Sequence, residues 1–198
     1  MKKFVKLLGL LGIVLGITVS QNNLKVIRII DGDTVVLSDK RHVRLIGIDT
    51  PEIGNCFAFE ATKLTSDLLL NKDIILETDT DNLDQFGRTL GYVFVNNTLV
   101  NKKLLEMGTG EYFQDNQNTK YQKEFIAAAA LAHDQNIGMW KTCGPCDIKG
   151  NYDIHGKRYY HLPTFRHYNQ VVVNLDKGDR WLCGEDYAIK AGYTRARE

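Results

Sequence analysis

Acidic, hydroxyl-bearing and guanidinium side chains are concentrated in residues 30–52, IDGDTVVLSDKRHVRLIGIDTPE. Asp33 and Asp49 are each followed by a threonine and offer hard oxygen ligands of the kind that Ca2+ binds. Arg44 lies between them in the sequence, and its planar guanidinium suits a phosphate group. Hydrolysis of a phosphodiester requires charge neutralisation, an activated water and donors for the phosphate oxygens. The segment therefore predicts a site for cation-assisted hydrolysis of phosphodiesters.

The carboxylates of this segment can be given separate roles. We expect Asp33, Asp49 and the backbone carbonyl of Thr50 to hold one Ca2+ ion, with Asp31 supporting this set without binding the cation itself. Glu52, three residues beyond Asp49, is the candidate general base for the attacking water. Acidic glycine turns are also ordinary hairpin turns, so the first motif alone is weak evidence. The combination of motifs favours a catalytic site.

A second arginine, Arg88, lies in DQFGR, before the strand-like LGYVFV. We expect it to bind the equatorial phosphate oxygens together with Arg44 and to assist the leaving 5′-oxygen. The motifs IDGDT, RLIGIDTPE and DQFGR, in this order, resemble the thermonuclease (staphylococcal nuclease) family, and the likeness extends over residues 25–140. The resemblance implies a Ca2+-dependent nuclease that leaves 3′-phosphates. It also implies that Tyr112 lies beside the bound nucleotide, although Gln114 occupies the position of a second expected aromatic residue.

Apolar patterning predicts a β-rich α+β fold. Five strands are expected over residues 26–30, 35–37, 43–48, 73–78 and 90–95. Helical spacing of apolar residues predicts one helix after the third strand and two after the fifth, which is compatible with an OB-fold barrel. In an unbroken third strand, Arg44 and Asp49 would point to opposite faces. Gly47 is therefore the candidate bulge residue that redirects Asp49.

Composition and net charge indicate which groups would have to bind the substrate. Hydrophobic residues make up 43% and charged residues 25% of the 198 residues, as in ordinary folded globular proteins. The formal net charge of +1 becomes −2 when the three lysines of the first 20 residues are removed. Bulk charge therefore does not indicate a polyanionic partner. If DNA or RNA is the substrate, local arginines and a metal ion must bind it. Single-stranded nucleic acid is expected, because the 5′ P–O bond of a rigid duplex is hard to reach in line.

Residues 1–20 resemble a secretory signal peptide. An apolar run over residues 7–19 follows two lysines and is shorter than the roughly 20 residues that span a bilayer. Thr18 and Ser20 are small and predict cleavage before Gln21. We expect a secreted or periplasmic protein without stable membrane insertion after cleavage. The alternative is an uncleaved signal that acts as a membrane anchor.

The chain divides into two parts after the signal peptide. Residues 21–142 are expected to form the nuclease-like domain, and residues 143–198 a small β-rich domain that includes the strand-like VVVN and a short helix ending at Gly192. So few residues rarely bury enough apolar area to fold alone, so this part should dock on the barrel or be cross-linked to it. Its role is not indicated by its residues.

Four cysteines are present, an even number that suggests two disulfides in an exported chain. Three pairings are possible, and we favour Cys56 with Cys143 and Cys146 with Cys183. The alternative is a zinc site formed by Cys143, Cys146, Cys183 and His161, because the CxxC spacing suits zinc.

Two further classes of function remain open. One is an inactive OB-fold module that binds nucleic acid, and the other is a structural protein of the cell surface. The simultaneous presence of Arg44, Glu52 and Arg88 favours the enzyme. A monomer is expected. The acidic run DTDNLD, which ends at Asp84, is interpreted as a solvated turn.

Overall fold

The first part of the molecule is a closed β-barrel. The computed structural model describes residues 24–197, so the predicted signal peptide lies outside the described residues. The strands up to residue 99 are β1 (Leu24–Ile29), β2 (Thr34–Leu37), β3 (His42–Leu45), β4 (Ile48–Asp49), β5 (Asp73–Glu77), β6 (Thr89–Val95) and β7 (Thr98–Leu99). The barrel strands follow the order β3-β2-β1-β5-β6, and a parallel pairing of β3 with β6 closes the barrel. The predicted five-stranded, β-rich α+β barrel is thereby confirmed.

Helices cover the barrel. They are α1 (Ala58–Leu69), α2 (Val100–Glu106), α3 (Gln122–Asp134) and the short α4 (Met139–Thr142), with the two-residue strand β8 (Glu111–Tyr112) between α2 and α3. The barrel and the helices share one apolar core, whose members include Leu37, Leu45, Ile48, Tyr92, Leu104 and Phe125. Each fully buried side chain of this size contributes roughly 1.5–3 kcal/mol to stability. This core accounts for the apolar periodicity of the helices, whereas Leu131 of α3 is exposed.

The C-terminal unit, residues 143–197, has its own small sheet. Its elements are β9 (Ile148–Tyr152), β10 (Arg158–His161), β11 (Arg180–Leu182), α5 (Glu185–Lys190) and β12 (Thr194–Arg195). The strand order is β11-β9-β10-β12. Residues 171–174, the VVVN run, are irregular, so the predicted strand there is wrong. β-Branched residues favour a strand only where a neighbouring strand pairs with them.

Two disulfides join the parts of the chain. Cys56 bonds to Cys143, and Cys146 bonds to Cys183, which confirms the favoured pairing. All four sulfur atoms are consumed, so the alternative zinc site that would use His161 is wrong. Thiolates are the ligands that such a site requires.

The C-terminal unit packs against α3. The ring of Trp181 stacks on that of His133, with 4.5 Å between ring centroids and 12° between the planes. A ring nitrogen of His133 also lies 3.2 Å from the carbonyl oxygen of Cys146. These contacts hold strand β11 of the C-terminal unit against helix α3.

Among residues 24–197, none of the helices has the length and apolar character needed to cross a membrane.

Candidate active site

A cavity of about 490 Å³ opens on one side of the barrel. Its lining includes most of the side chains that the sequence singles out: Asp31, Asp33, Arg44, Asp49, Glu52 and Arg88. They come from three separate segments of the chain. Thr50 and Tyr112, also predicted site residues, do not line this cavity.

Gly47 brings Arg44 and Asp49 to the same side. Strand β3 ends at Leu45, and Gly47 turns the chain with a φ of +81° before β4 begins. The predicted continuous strand over residues 43–48 is therefore wrong, and Gly47 makes a turn rather than a bulge. As a result, Arg44 Nη2 lies 3.0 Å from Asp49 Oδ1. A Cβ atom at Gly47 would lie 2.2 Å from a ring atom of Phe125, so the position has no room for a side chain.

Asp33 is buried and held by several donors. Its Oδ2 accepts hydrogen bonds from the backbone N–H of Thr50 at 2.8 Å and from the Thr50 hydroxyl at 2.9 Å. Its Oδ1 lies 3.1 Å from Arg44 Nη1, and its own N–H donates to Asp31 Oδ1 at 3.1 Å. Burial raises the pKa of Asp33 to about 6, with Arg44 opposing the shift and Asp31 adding to it. Thr50 and Asp31 therefore both contact Asp33, and the predicted role of Asp33 as a cation ligand stays a prediction.

Arg88 is oriented by Asp84. The Nε atom of Arg88 donates to Asp84 Oδ2 at 2.6 Å, while Asp84 Oδ1 accepts the backbone N–H groups of Phe86 and Arg88, each at 2.9 Å. Arg88 Nη1 lies 3.4 Å from the buried Thr34 hydroxyl. The interpretation of Asp84 as a solvated residue is therefore wrong. Its position four residues before the arginine was a usable signal, because aspartate accepts hydrogen bonds from the turn that follows it.

Phe113, rather than Tyr112, presents an aromatic face to the cavity. Tyr112 is 4% exposed and packs in the barrel core, opposite Ile48 in the β4–β8 pair. Phe113 directly follows β8, is 42% exposed and lines the cavity. Phe86, 74% exposed, also lines the cavity. The buried ring of Tyr112 has no free face for a base, in contrast to the expectation from the family resemblance.

Arg180, which the sequence did not indicate, contacts one of the predicted site residues without lining the cavity. It comes from β11 of the C-terminal unit, and its Nη1 atom donates to Asp49 Oδ2 at 3.0 Å. The same Nη1 lies 3.5 Å from Glu111 Oε2. No local pattern marks Arg180, because 131 residues separate it from Asp49.

The donor set fits a hard cation. Within residues 24–197, no group of three or more His, Cys, Asp or Glu side chains is arranged to hold a metal ion. Asp33 and Asp49 nevertheless each direct one carboxylate oxygen at the Arg44 guanidinium, at 3.1 and 3.0 Å. Two converging carboxylate oxygens suit Ca2+, which accepts water and carbonyl oxygens as its other ligands. The oxygen chemistry suits the predicted ion, but both oxygens are paired with Arg44, and the Ca2+ site stays a prediction.

The barrel and its cavity define a nuclease-like OB-fold protein. The family described as staphylococcal nuclease homologues matches residues 42–142, and the chain belongs to this family. The thermonuclease of Staphylococcus hyicus is 32% identical over 132 residues, covering 62% of this chain and 78% of that protein. The thermonuclease of Staphylococcus intermedius is 33% identical over 124 residues, covering 58% and 73%. Endonuclease YncB of Bacillus subtilis is 31% identical over 139 residues, covering 65% and 66%.

Proposed function

We propose that this protein is an exported, Ca2+-dependent nuclease that hydrolyses 5′ P–O bonds of single-stranded DNA or RNA and leaves 3′-phosphates. The observation that carries the proposal is the single cavity lined by Asp33, Arg44, Asp49, Glu52 and Arg88. The names of the relatives, thermonuclease and endonuclease, support the same reaction class.

The arginines are the groups that bind the phosphate. Arg88 uses Nε to pair with Asp84 and Nη1 to contact the Thr34 hydroxyl at 3.4 Å, and the residue lines the cavity. Arg44 Nη1 donates to the carbonyl oxygen of Ile48 at 2.6 Å and pairs with Asp33, whereas Nη2 contacts only Asp49 among the described residues and is the donor left for a phosphate. Two guanidinium groups at one cavity can donate several hydrogen bonds to the charge that develops on the phosphate oxygens. A lysine at either position cannot reproduce a two-pronged contact.

Glu52 is the general base of the proposed reaction. It follows the rigid Pro51, is exposed, and lines the cavity, so water has access to its carboxylate. Proton removal from the attacking water by such a group accelerates hydrolysis typically by 10² to 10⁴. Ca2+, held by Asp33 and Asp49 with the Thr50 carbonyl as a further candidate ligand, would supply charge neutralisation and polarisation of a phosphoryl oxygen.

Exposed aromatic side chains favour a single-stranded substrate. Phe113 and Phe86 both line the cavity and have free ring surface. Stacking of a base on such a ring contributes roughly 1–3 kcal/mol and requires a base that is not paired in a duplex. The formal net charge of residues 21–198, −2, provides no general attraction for a polyanion, so these local contacts must select the substrate.

Export is part of the proposal. The two disulfides support an oxidising compartment, where such bonds form and persist. Residues 1–20 would act as the signal peptide, residues 21–142 as the nuclease domain, and residues 143–198 as a docked C-terminal domain of a monomeric protein. N-terminal sequencing of the exported protein tests this: a first residue of Gln21 supports cleavage, whereas recovery of the full chain in the membrane fraction supports an anchor.

A cleavage assay tests the reaction. The protein is incubated with single-stranded DNA and RNA oligonucleotides in Ca2+ and in a Ca2+ chelator, and the products are analysed by mass spectrometry. We expect Ca2+-dependent fragments that carry 3′-phosphates, and a loss of rate of about 10² or more in Glu52→Gln and Arg88→Ala. Glu60→Gln and Arg41→Ala are matched controls, since both residues are exposed and do not line the cavity. Binding of the oligonucleotides without cleavage would instead indicate an inactive binding module.

A further inference from the structure

A pair of acidic residues faces each other at the edge of the site. In the antiparallel β4–β8 pair, Asp49 and Glu111 are direct cross-strand partners. Like charges in this position destabilise a strand pair. Arg180 Nη1 lies between them, 3.0 Å from Asp49 Oδ2 and 3.5 Å from Glu111 Oε2. The C-terminal unit therefore supplies the positive charge that the strand pair of the barrel requires.

Glu111 depends on this arginine. It is 3% exposed, its carboxylate oxygens have no close hydrogen-bond partner among the described residues, and Arg180 and the Tyr187 hydroxyl are the polar groups that face it. A buried carboxylate is costly unless an opposite charge accompanies it. The Arg180 side chain is itself only 12% exposed, so solvent screens the ion pair weakly. Arg180 and Glu111 form a buried ion pair, and Asp49 is the second carboxylate on the same guanidinium.

The two proposed cation ligands are held in the same manner. Asp33 uses Oδ2 to accept two hydrogen bonds from Thr50 and directs Oδ1 at Arg44. Asp49 uses Oδ2 to accept the hydrogen bond from Arg180 and directs Oδ1 at Arg44. In each carboxylate, Oδ2 is anchored by a group other than Arg44 and Oδ1 pairs with Arg44, while Asp33 Oδ1 also accepts the Thr34 hydroxyl at 3.1 Å. Arg180 thus does for Asp49 what Thr50 does for Asp33.

We infer that Arg180 is a positioning residue of the nuclease site, and that the C-terminal unit completes the site by supplying it. The inference rests on the proposed function. Arg180 acts through Asp49, whose carboxylate it orients, and through Phe113, whose ring centroid lies 5.0 Å from the guanidinium carbon. One side chain therefore holds both a proposed cation ligand and the proposed stacking surface.

The position of Arg180 is itself secured. Its neighbour Trp181 stacks on His133 of α3, and β11 pairs with β9 in the C-terminal sheet. The disulfide between Cys146 and Cys183 ties the end of β11 to the chain that follows α4. Arg180 therefore projects from a fixed strand rather than from a free loop, as a positioning group must.

A purely electrostatic role for Arg180 and a role in positioning Asp49 predict opposite changes in Ca2+ affinity. Removal of the Arg180 charge leaves the site more negative, which by electrostatics alone would strengthen cation binding. Loss of an anchor that orients a ligand typically weakens metal binding by 10- to 100-fold. The direction of the change in affinity therefore distinguishes a positioning residue from a bystander charge.

The experiment measures the dissociation constant for Ca2+ by calorimetry and the melting temperature of the same samples. The central variant combines Arg180→Met with Glu111→Gln, which removes one charge of each sign and leaves no unpaired buried carboxylate at Glu111. We expect it to bind Ca2+ 10- to 100-fold more weakly, with a melting temperature near that of the unmodified protein. Arg180→Lys should recover part of the affinity. Arg158→Met, on β10, is the matched control and should leave Ca2+ binding unchanged.

Different results would contradict the positioning role of Arg180 and the proposed nuclease function. Unchanged or tighter Ca2+ binding in the double variant, or in Arg180→Met alone, would overturn the positioning role while leaving the nuclease intact. If the unmodified protein neither binds Ca2+ nor cleaves nucleic acid, the proposed function itself is wrong, and the inference is lost with it. Weaker Ca2+ binding together with a normal melting temperature supports both.

Discussion

Substitution of Gly47 by alanine tests whether this one residue aims Asp49 into the site. Gly47 has a φ of +81°, where an L-residue with a Cβ atom costs about 1–2 kcal/mol. The new Cβ would also lie 2.2 Å from a ring atom of Phe125, which must move within a packed core. Such overpacking costs typically 1–3 kcal/mol. We therefore expect Gly47→Ala to lower the free energy of unfolding by about 2–5 kcal/mol.

The Gly156→Ala variant separates the backbone cost of a positive φ from the cost of the contact with Phe125. Gly156 has a nearly identical φ of +77°, but a Cβ atom there would meet nothing within 4 Å. It should therefore show the backbone cost alone, about 1–2 kcal/mol. The difference between the two variants, measured by urea denaturation, isolates the contact with Phe125.

The functional consequence is measured on the folded protein. Any shift of the turn at Gly47 moves Asp49 away from Arg44, so we expect weaker Ca2+ binding and slower cleavage in Gly47→Ala but not in Gly156→Ala. Equal losses of stability in the two variants would refute the packing argument. Normal Ca2+ affinity in folded Gly47→Ala would refute the claim that this turn sets the position of Asp49.

Two further predictions concern the cation and the substrate. The pKa of Asp33 is raised to about 6, so below that pH a proton competes with Ca2+ for its carboxylate. The affinity for Ca2+ should therefore fall about tenfold per pH unit from pH 6 toward 5 and stay constant above pH 7. Calorimetry across this range measures the affinity, and an affinity that does not change with pH contradicts the prediction. Phe113→Ala should raise KM for a single-stranded oligonucleotide about 5- to 150-fold with little change in kcat, whereas Tyr112→Phe should not; steady-state kinetics would contradict stacking on Phe113 if only the Tyr112 variant were affected.

Local patterns were sufficient for the barrel. Alternation of apolar residues and glycine turns determines where short strands begin and end, because both depend on neighbouring residues. The five barrel strands and the three main helices follow these patterns within a few residues. The run VVVN was misread because strand formation also needs a partner strand, which residues 171–174 lack among the described residues.

The aromatic residue at the site depended on register. Tyr112 and Phe113 are adjacent, and the sequence alone gives no reason to prefer one for the cavity. The pairing of Tyr112 with Ile48 turns its ring into the core and leaves Phe113 outside. A register is a relation between distant segments, so a shift by one residue would exchange the two.

The sequence by itself determined the chemistry of this protein: hard carboxylate oxygens, two guanidinium groups and a glutamate, carried by motifs whose members lie within a few residues of each other. Only the tertiary structure decided how these groups are aimed, through the turn at Gly47, the hydrogen bonds from Asp84 to Arg88, and Arg180 on Asp49. The physical reason is the difference between local interactions and contacts of residues that are far apart in the sequence. Residue type and local spacing are read along the chain, whereas orientation and burial arise from contacts such as the one between Arg180 and Asp49, which are 131 residues apart.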